Sequence, residues 1–152
     1  MTAWHFVLAF WRRPRMQALC LERQNANQQS ISLLLWRLWT LDQKRQISVE
    51  TVSHAVDAAA SWNDEVLIPL RAVRPGLKPP RPLFDLAARL SIRDQVQTTE
   101  LAEERVLLDA LERLAPPSGE VIEGPLDAME AMIEAWGHPA PTALLARLVA
   151  AP

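Results

Sequence analysis

Apolar residues recur at helical spacing along most of the chain, and this spacing is the strongest constraint on its fold. Leu126, Met129 and Met132 show it, because residues three or four apart share one side of a helix. The chain has only four glycines, and all fall between such segments: Gly76, Gly119, Gly124 and Gly137. No segment alternates apolar and polar residues in the manner of a strand. The sequence therefore predicts an all-α fold.

The length and composition predict a single compact domain. The chain has 152 residues, of which 49% are hydrophobic. This is enough for one hydrophobic core but too little for two domains of the usual size. We expect seven or eight helices. Residues 1–115 would form a helical core and residues 116–152 a C-terminal helical extension packed on it. The longest helix would run near 83–114, about 48 Å at 1.5 Å per residue.

Capping residues and prolines set the expected helix boundaries. The predicted helices cover 3–12, 14–23, 30–44, a segment from Val49, 62–73, 83–114, a segment from Pro125 and a last one from Pro141. Thr2 and Ser48 are suitable N-caps, and Ser61 with Asp64 resembles a capping box for the 62–73 segment. Pro69 predicts a kink or a break there. A connector rich in proline follows over 74–82.

The helix over 30–44 raises a question about a charge inside an apolar run. On a helical wheel, Arg37 falls on the polar side, away from a continuous apolar arc. Leu33 and Trp36 also fall outside that arc. We expect a central helix in which both pack under another helix and Arg37 reaches the edge. The alternative is an exposed interaction patch of Leu33, Trp36 and Arg37, since tryptophan and arginine are enriched where partners bind.

The first helix is apolar on nearly every side. Such a helix lies in a core or inserts elsewhere. Its aromatic residues, followed by Arg12 and Arg13, could lie in a membrane interface, but it lacks the broad basic face of such helices. We therefore expect it in the core, with Trp4 and Trp11 buried.

Charge is divided unevenly between the two halves. Residues 1–81 contain eleven Lys and Arg against six Asp and Glu, whereas residues 82–152 contain five against twelve. The candidate basic surface is Arg71, Arg74, Lys78 and Arg81, and the candidate acidic surface is Glu100, Glu103 and Glu104. We expect the two to attract each other. Nucleic-acid binding is disfavoured, because no aromatics interleave with the basic segment and the pI of 5.9 is below that of basic binding domains.

The residue types for catalysis or metal binding are present without the spacing that such sites need. His5, His54 and His138 share no ligand spacing. Cys20 is the only cysteine and lies beside leucines, as a small buried thiol would. The chain has no G-x-S-x-G motif and too few glycines for a phosphate loop. We therefore expect no metal, no cofactor and no enzymatic activity.

Several short segments resemble an uncharacterised proteobacterial family of short helical proteins, a domain of unknown function. They are Trp4-His5-Phe6 with Pro14, then Cys20-Leu21-Glu22, LLLWRLW (33–39), PLRAVRPGLK (69–78) and ELAEER (100–105). They cover roughly residues 1–115. Family members carry an Asp and an Asn just before the leucine run, where this chain has Gln29, Ser30 and Ser32. The resemblance supports the all-α interpretation and implies no activity, cofactor or catalytic residue.

These observations favour a cytoplasmic protein that acts through contact with a protein partner or with further copies of itself. A single cysteine suits a reducing compartment. The apolar start of the chain precedes its charges, unlike a signal peptide, and no apolar run approaches the ~20 residues that cross a bilayer. Two alternatives stay open. One is a helical pocket for a small apolar ligand, and the other is peripheral membrane attachment through the first helix, which the core interpretation disfavours.

Overall fold

The all-α prediction is confirmed in the computed structural model, which describes residues 1–13, 16, 18, 29–119 and 124–150. The helices are α1 (Ala3–Trp11), α2 (Ile31–Asp42), α3 (Val49–Trp62), α4 (Ile68–Leu77), α5 (Leu86–Leu114), α6 (Pro125–Trp136) and α7 (Thr142–Val149). A π-helical turn over Asn63–Leu67 makes α3 and α4 continuous, so these ranges form six separate helical rods. The expected helix over 14–23, with Cys20, lies outside the described residues except for Met16 and Ala18.

Polar side chains begin the helices where the sequence indicated. Thr2, Ser30 and Ser48 each accept a hydrogen bond from the backbone N–H three residues later. Asp85 caps α5 in the same way, accepting from the Ala88 N–H at 2.7 Å. Such caps satisfy amide groups that a helix start leaves unpaired. Because of the Asp85 cap, α5 begins three residues after the predicted start.

Helix α2 is the centre of the fold, as expected. The alternative, an exposed interaction patch on this helix, is wrong. Leu33, Trp36 and Arg37 are at most 2% exposed, so they form no surface patch in this structure. The placement of Arg37 at an edge is also wrong. Helices α1, α3, α5 and α6 all contact α2, and the guanidinium of Arg37 lies 3.5 Å from the backbone oxygen of Ala128 in α6. A helical wheel marks the polar side of one helix but not its neighbours.

Helix α1 belongs to the core. Phe6, Val7 and Phe10 are buried and join the same apolar cluster as α2. Trp4 and Trp11 are only half-buried, which corrects the expectation that both would be fully covered. The guanidinium of Arg105 lies over the Trp4 ring, 5.4 Å from its centroid. This charged side chain therefore covers part of the indole.

The α3–α4 region departs from the predicted boundaries. No new helix starts at residue 62, because Ser61 donates to Glu65 instead of capping. The π turn ends at Leu67, two residues before Pro69, and the Ile68 N–H donates an i→i−5 bond to the Asn63 oxygen. A proline cannot donate and crowds the preceding turn, so the wider π geometry keeps the helix continuous. Helix α4 then extends into the expected connector and ends at Leu77.

Helix α5 is packed at one end rather than at both. Leu107, Leu108 and Leu111 are buried, whereas Leu86 and Leu90 are exposed. Leu86 and Leu90 follow the helical spacing of apolar residues, as a packed face would, but they are left uncovered at the N-terminal end. That half of α5 lies beside α4, which itself contains no buried residue.

The C-terminal helices complete the core. Met129 and Met132 of α6 and Leu145 and Leu148 of α7 join the cluster around α2. Gly137 ends α6 in the left-handed conformation, with φ of 81°, as glycine commonly does at this position. Within the described residues, no helix combines the length and the apolar character that crossing a membrane requires.

Candidate functional site

The basic and acidic segments meet between α4 and α5. Arg71 Nη2 lies 2.9 Å from Glu104 Oε1, and Arg74 Nε lies 2.7 Å from Glu100 Oε1. The predicted attraction between the two segments is therefore confirmed for these pairs. The acidic residues do not form a solvated face, because Glu100 is only 7% exposed.

The other two predicted cations lie beyond this contact. Lys78 is exposed, and Arg81 donates from Nε to the backbone oxygen of Gly76 at 3.3 Å. The predicted basic surface is thus divided. Arg71 and Arg74 join α4 to α5 through ion pairs, whereas Lys78 and Arg81 belong to the loop between these helices.

Glu103 is buried within the acidic cluster, at 6% exposed. Its Oε2 accepts a hydrogen bond of 2.5 Å from the indole Nε1 of Trp62. Its Oε1 is buried and has no hydrogen-bond partner among the described residues. A cavity of about 20 Å³ beside it, also lined by Ser32 and Asn63, has room for one water molecule. Trp62 was not predicted as part of this site, because its contact with Glu103 depends on how α3 packs against α5.

The surroundings of Glu103 favour its protonated form. Burial raises the pKa of Glu103 from 4.5 to about 7, against the opposing hydrogen bond from Trp62. The negative charges of Glu104 and Glu100 raise it further, and Arg71 lowers it. Burial also raises the pKa of Glu104, with Arg71 opposing this effect. The cluster thus combines two ion-paired carboxylates with one carboxyl that exchanges a proton near neutral pH.

The charged groups of this cluster pair with one another and hold helices of the chain together. Among the residues that the structure describes, no group of three His, Cys, Asp or Glu side chains could hold a metal ion. The charges of Glu100 and Glu104 are taken up by arginines of the same chain. The contacts join the end of α3 and helix α4 to α5.

The loop between α4 and α5 exposes two large apolar side chains, Leu83 and Phe84, here named the apolar tip. They are 94% and 61% exposed. The start of this loop is held by Arg89, which is buried and donates from Nη1 to the carbonyls of Leu77 and Pro79 at 2.9 and 2.7 Å. The tip itself lies on a turn in which the Phe84 N–H donates to the Arg81 oxygen at 2.9 Å.

A groove between α6 and α7 lies in the acidic part of the chain. It has a volume of about 330 Å³, and Ile133, Pro139 and Leu145 contribute its apolar walls. Glu130 and Glu134 also line it. We call it the α6–α7 groove. Neither it nor the apolar tip was predicted from the sequence, because each depends on how two helices meet.

Comparison with known proteins identifies a family without adding an activity. Residues 2–111 match the family described as "Protein of unknown function (DUF2390)". No curated protein and no solved structure matches the chain. The matched region covers α1 through most of α5 and ends before α6, close to the limit that the sequence motifs indicated. The chain therefore belongs to the DUF2390 family of proteins of unknown function.

Proposed function

We propose that this protein is a non-enzymatic cytoplasmic protein that acts by binding another protein through its α4–α5 loop. The observation that supports this proposal is the apolar tip, Leu83 and Phe84, which is exposed on a loop whose start is held by Arg89. Large apolar side chains in water favour association when a partner covers them. A backbone that is already fixed lowers the entropy cost of binding.

The exposed apolar surface continues from the tip onto α5. Leu86 and Leu90 are 58% and 44% exposed and stand one turn apart. Lys78 and Arg81 precede the tip in the same loop and are exposed as well. An apolar centre with a charged rim is the usual organisation of a protein interface.

The charged cluster supports a non-catalytic role. Glu100 and Glu104 are neutralised by Arg74 and Arg71, and Glu103 is 6% exposed. A general acid or base must lie within hydrogen-bond reach of its substrate. Buried side chains that are ion-paired within the chain are suited to a structural role rather than to catalysis.

Site-specific photo-crosslinking in cells tests the proposal. Benzoylphenylalanine replaces Leu83 in one variant and Val49 in a control, because Val49 is also apolar and 88% exposed. We expect crosslinked protein adducts, identified by mass spectrometry, from position 83 and far fewer from position 49. Equal yields at the two positions, or none at position 83, would overturn the proposal.

A second candidate function is the binding of a small apolar ligand. A cavity of about 320 Å³ between α1, α2 and α7 is lined by Phe6, Phe10 and Leu38, with Arg13 and Asp42 also present. This volume is at the lower end for ligand sites. Native mass spectrometry of freshly purified protein would show a retained mass if the cavity binds such a ligand. A Leu41→Trp variant, which narrows the cavity, should lose that mass.

A further inference from the structure

The apolar tip and the α6–α7 groove carry complementary chemistry. The tip offers Leu83 and Phe84 beside Lys78 and Arg81, whereas the groove offers apolar walls beside Glu130 and Glu134. We propose that the tip of one copy inserts into the α6–α7 groove of a second copy. This inference rests on the proposed function and names its partner as the chain itself.

Size and charge both support this pairing. A groove of about 330 Å³ can receive the side chains of Leu83 and Phe84 without an opening of the core. Lys78 and Arg81 would then approach Glu130 and Glu134. Opposite charges at the rim guide two surfaces into register and raise the rate of encounter, and salt screens this effect.

The contact joins two different surfaces, so it is heterologous. Each copy keeps a free groove after its tip is occupied, and a heterologous contact extends into rings or open chains rather than stopping at a symmetric dimer. A loop in a groove buries less area than a standard interface. We therefore expect weak association, with a dissociation constant on the order of 10–100 µM.

Mixing two complementary variants tests this arrangement. The tip variant carries Leu83→Glu and Phe84→Glu and keeps its groove. The groove variant carries Glu130→Lys and Glu134→Lys and keeps its tip. Sedimentation velocity from about 10 to about 500 µM at low salt should show growth of the wild type with concentration. Each variant alone should stay monomeric, and their mixture should stop at a one-to-one dimer.

Controls separate this inference from loss of folding and from other partners. Circular dichroism should show wild-type helix content and thermal unfolding for both variants, and Val49→Glu should associate like the wild type. A wild type that stays monomeric to about 500 µM overturns the inference. So does a mixture that associates no more than its components.

Two further outcomes would contradict self-association and show that the tip binds something other than a second copy. Crosslinks from position 83 to a different protein, with pure protein monomeric, would leave the proposed function standing and exclude this partner. Binding of the monomer to phosphatidylserine vesicles, lost in the tip variant, would assign the tip to a membrane surface. That result, with no protein crosslinks, would overturn both proposals.

Discussion

The indole of Trp62 donates a hydrogen bond of 2.5 Å to the carboxyl of Glu103 across the α3–α5 interface. Trp62 ends α3 where the π turn begins, and the turn's extra residue rotates the faces of the helix that follows. Trp62 before the turn and Arg71 and Arg74 after it consequently all face the acidic side of α5. The π turn thus allows one continuous helix to contact three successive glutamates.

Glu103→Gln should change how stability depends on pH. The pKa of Glu103 is about 7 in the folded chain and 4.5 for an ordinary glutamate. The folded state therefore binds more protons between these values, and the free energy of unfolding falls as pH rises from about 4.5 to about 7. Glutamine keeps an oxygen for Trp62 and does not titrate. We expect the variant to be more stable than the wild type by about 1–3 kcal/mol at pH 8.

Urea unfolding, followed by circular dichroism from pH 5 to pH 8, measures this difference. The advantage of Glu103→Gln should shrink steadily toward pH 5, where the wild-type carboxyl is protonated in the folded state. Glu65→Gln is the control, since Glu65 is exposed, and it should change stability by less than about 0.5 kcal/mol throughout. A difference that stays constant across this range would contradict the assignment to Glu103.

The two ion pairs between α4 and α5 should differ in their contribution. Arg74→Ala leaves the carboxylate of Glu100 buried without its guanidinium and should cost about 3 kcal/mol. Arg71→Ala should cost about 1 kcal/mol, because the Glu104 side chain is 30% exposed and water replaces part of the contact. Urea unfolding at pH 8 gives both values.

Salt and a second substitution check the origin of that ranking. Added salt should reduce the loss in Arg71→Ala more than the loss in Arg74→Ala, because screening acts mainly on exposed pairs. Replacing Glu100 by Ala in the Arg74→Ala background should recover part of the stability, since it removes the unpaired buried charge. If the two arginine variants lost equal stability, the burial of Glu100 would not make the removal of its arginine more costly.

Local signals predicted the helices well but predicted their contacts only in part. Caps such as Ser48 act within one turn, so the sequence is sufficient to place them. The environment of Arg37 depends on α6, which is distant in sequence, so its burial was missed. The π turn was missed because Pro69 predicts a kink or a break, and local sequence does not distinguish these from a π turn that keeps the helix continuous. The attraction of Arg71 and Arg74 for the acidic helix could be predicted, because opposite charge requires no knowledge of exact geometry.

Arg37 should be sensitive even to replacement by lysine. Its guanidinium donates to Thr40 Oγ1 at 3.3 Å and approaches the Ala128 oxygen, and lysine cannot reproduce donors in this planar arrangement. We expect Arg37→Lys to lower the free energy of unfolding by about 1–3 kcal/mol. The exposed Arg113 provides the control, since Arg113→Lys should leave stability within about 0.5 kcal/mol. Equal effects would mean that the buried contacts of Arg37 are energetically unimportant.

The final prediction concerns two glycines whose replacement by alanine should have opposite effects. Gly76 lies inside α4 with no atom within 4 Å of a new Cβ, whereas Gly137 has φ of 81°. Gly76→Ala should stabilise the protein by about 0.5–1 kcal/mol, because alanine restricts the unfolded chain and suits a helix. Gly137→Ala should destabilise it by about 1–2 kcal/mol, because an L side chain is strained at this φ.

Thermal and urea unfolding of the two alanine variants compare these effects directly. Both substitutions add the same methyl group, and neither meets another atom within 4 Å, so any difference reports on backbone conformation. Gly137→Asn provides a further control, since asparagine tolerates the left-handed region better than alanine and should recover part of the loss. If Gly137→Ala were as stable as the wild type, α6 could not end in the left-handed turn that brings the chain back toward α7.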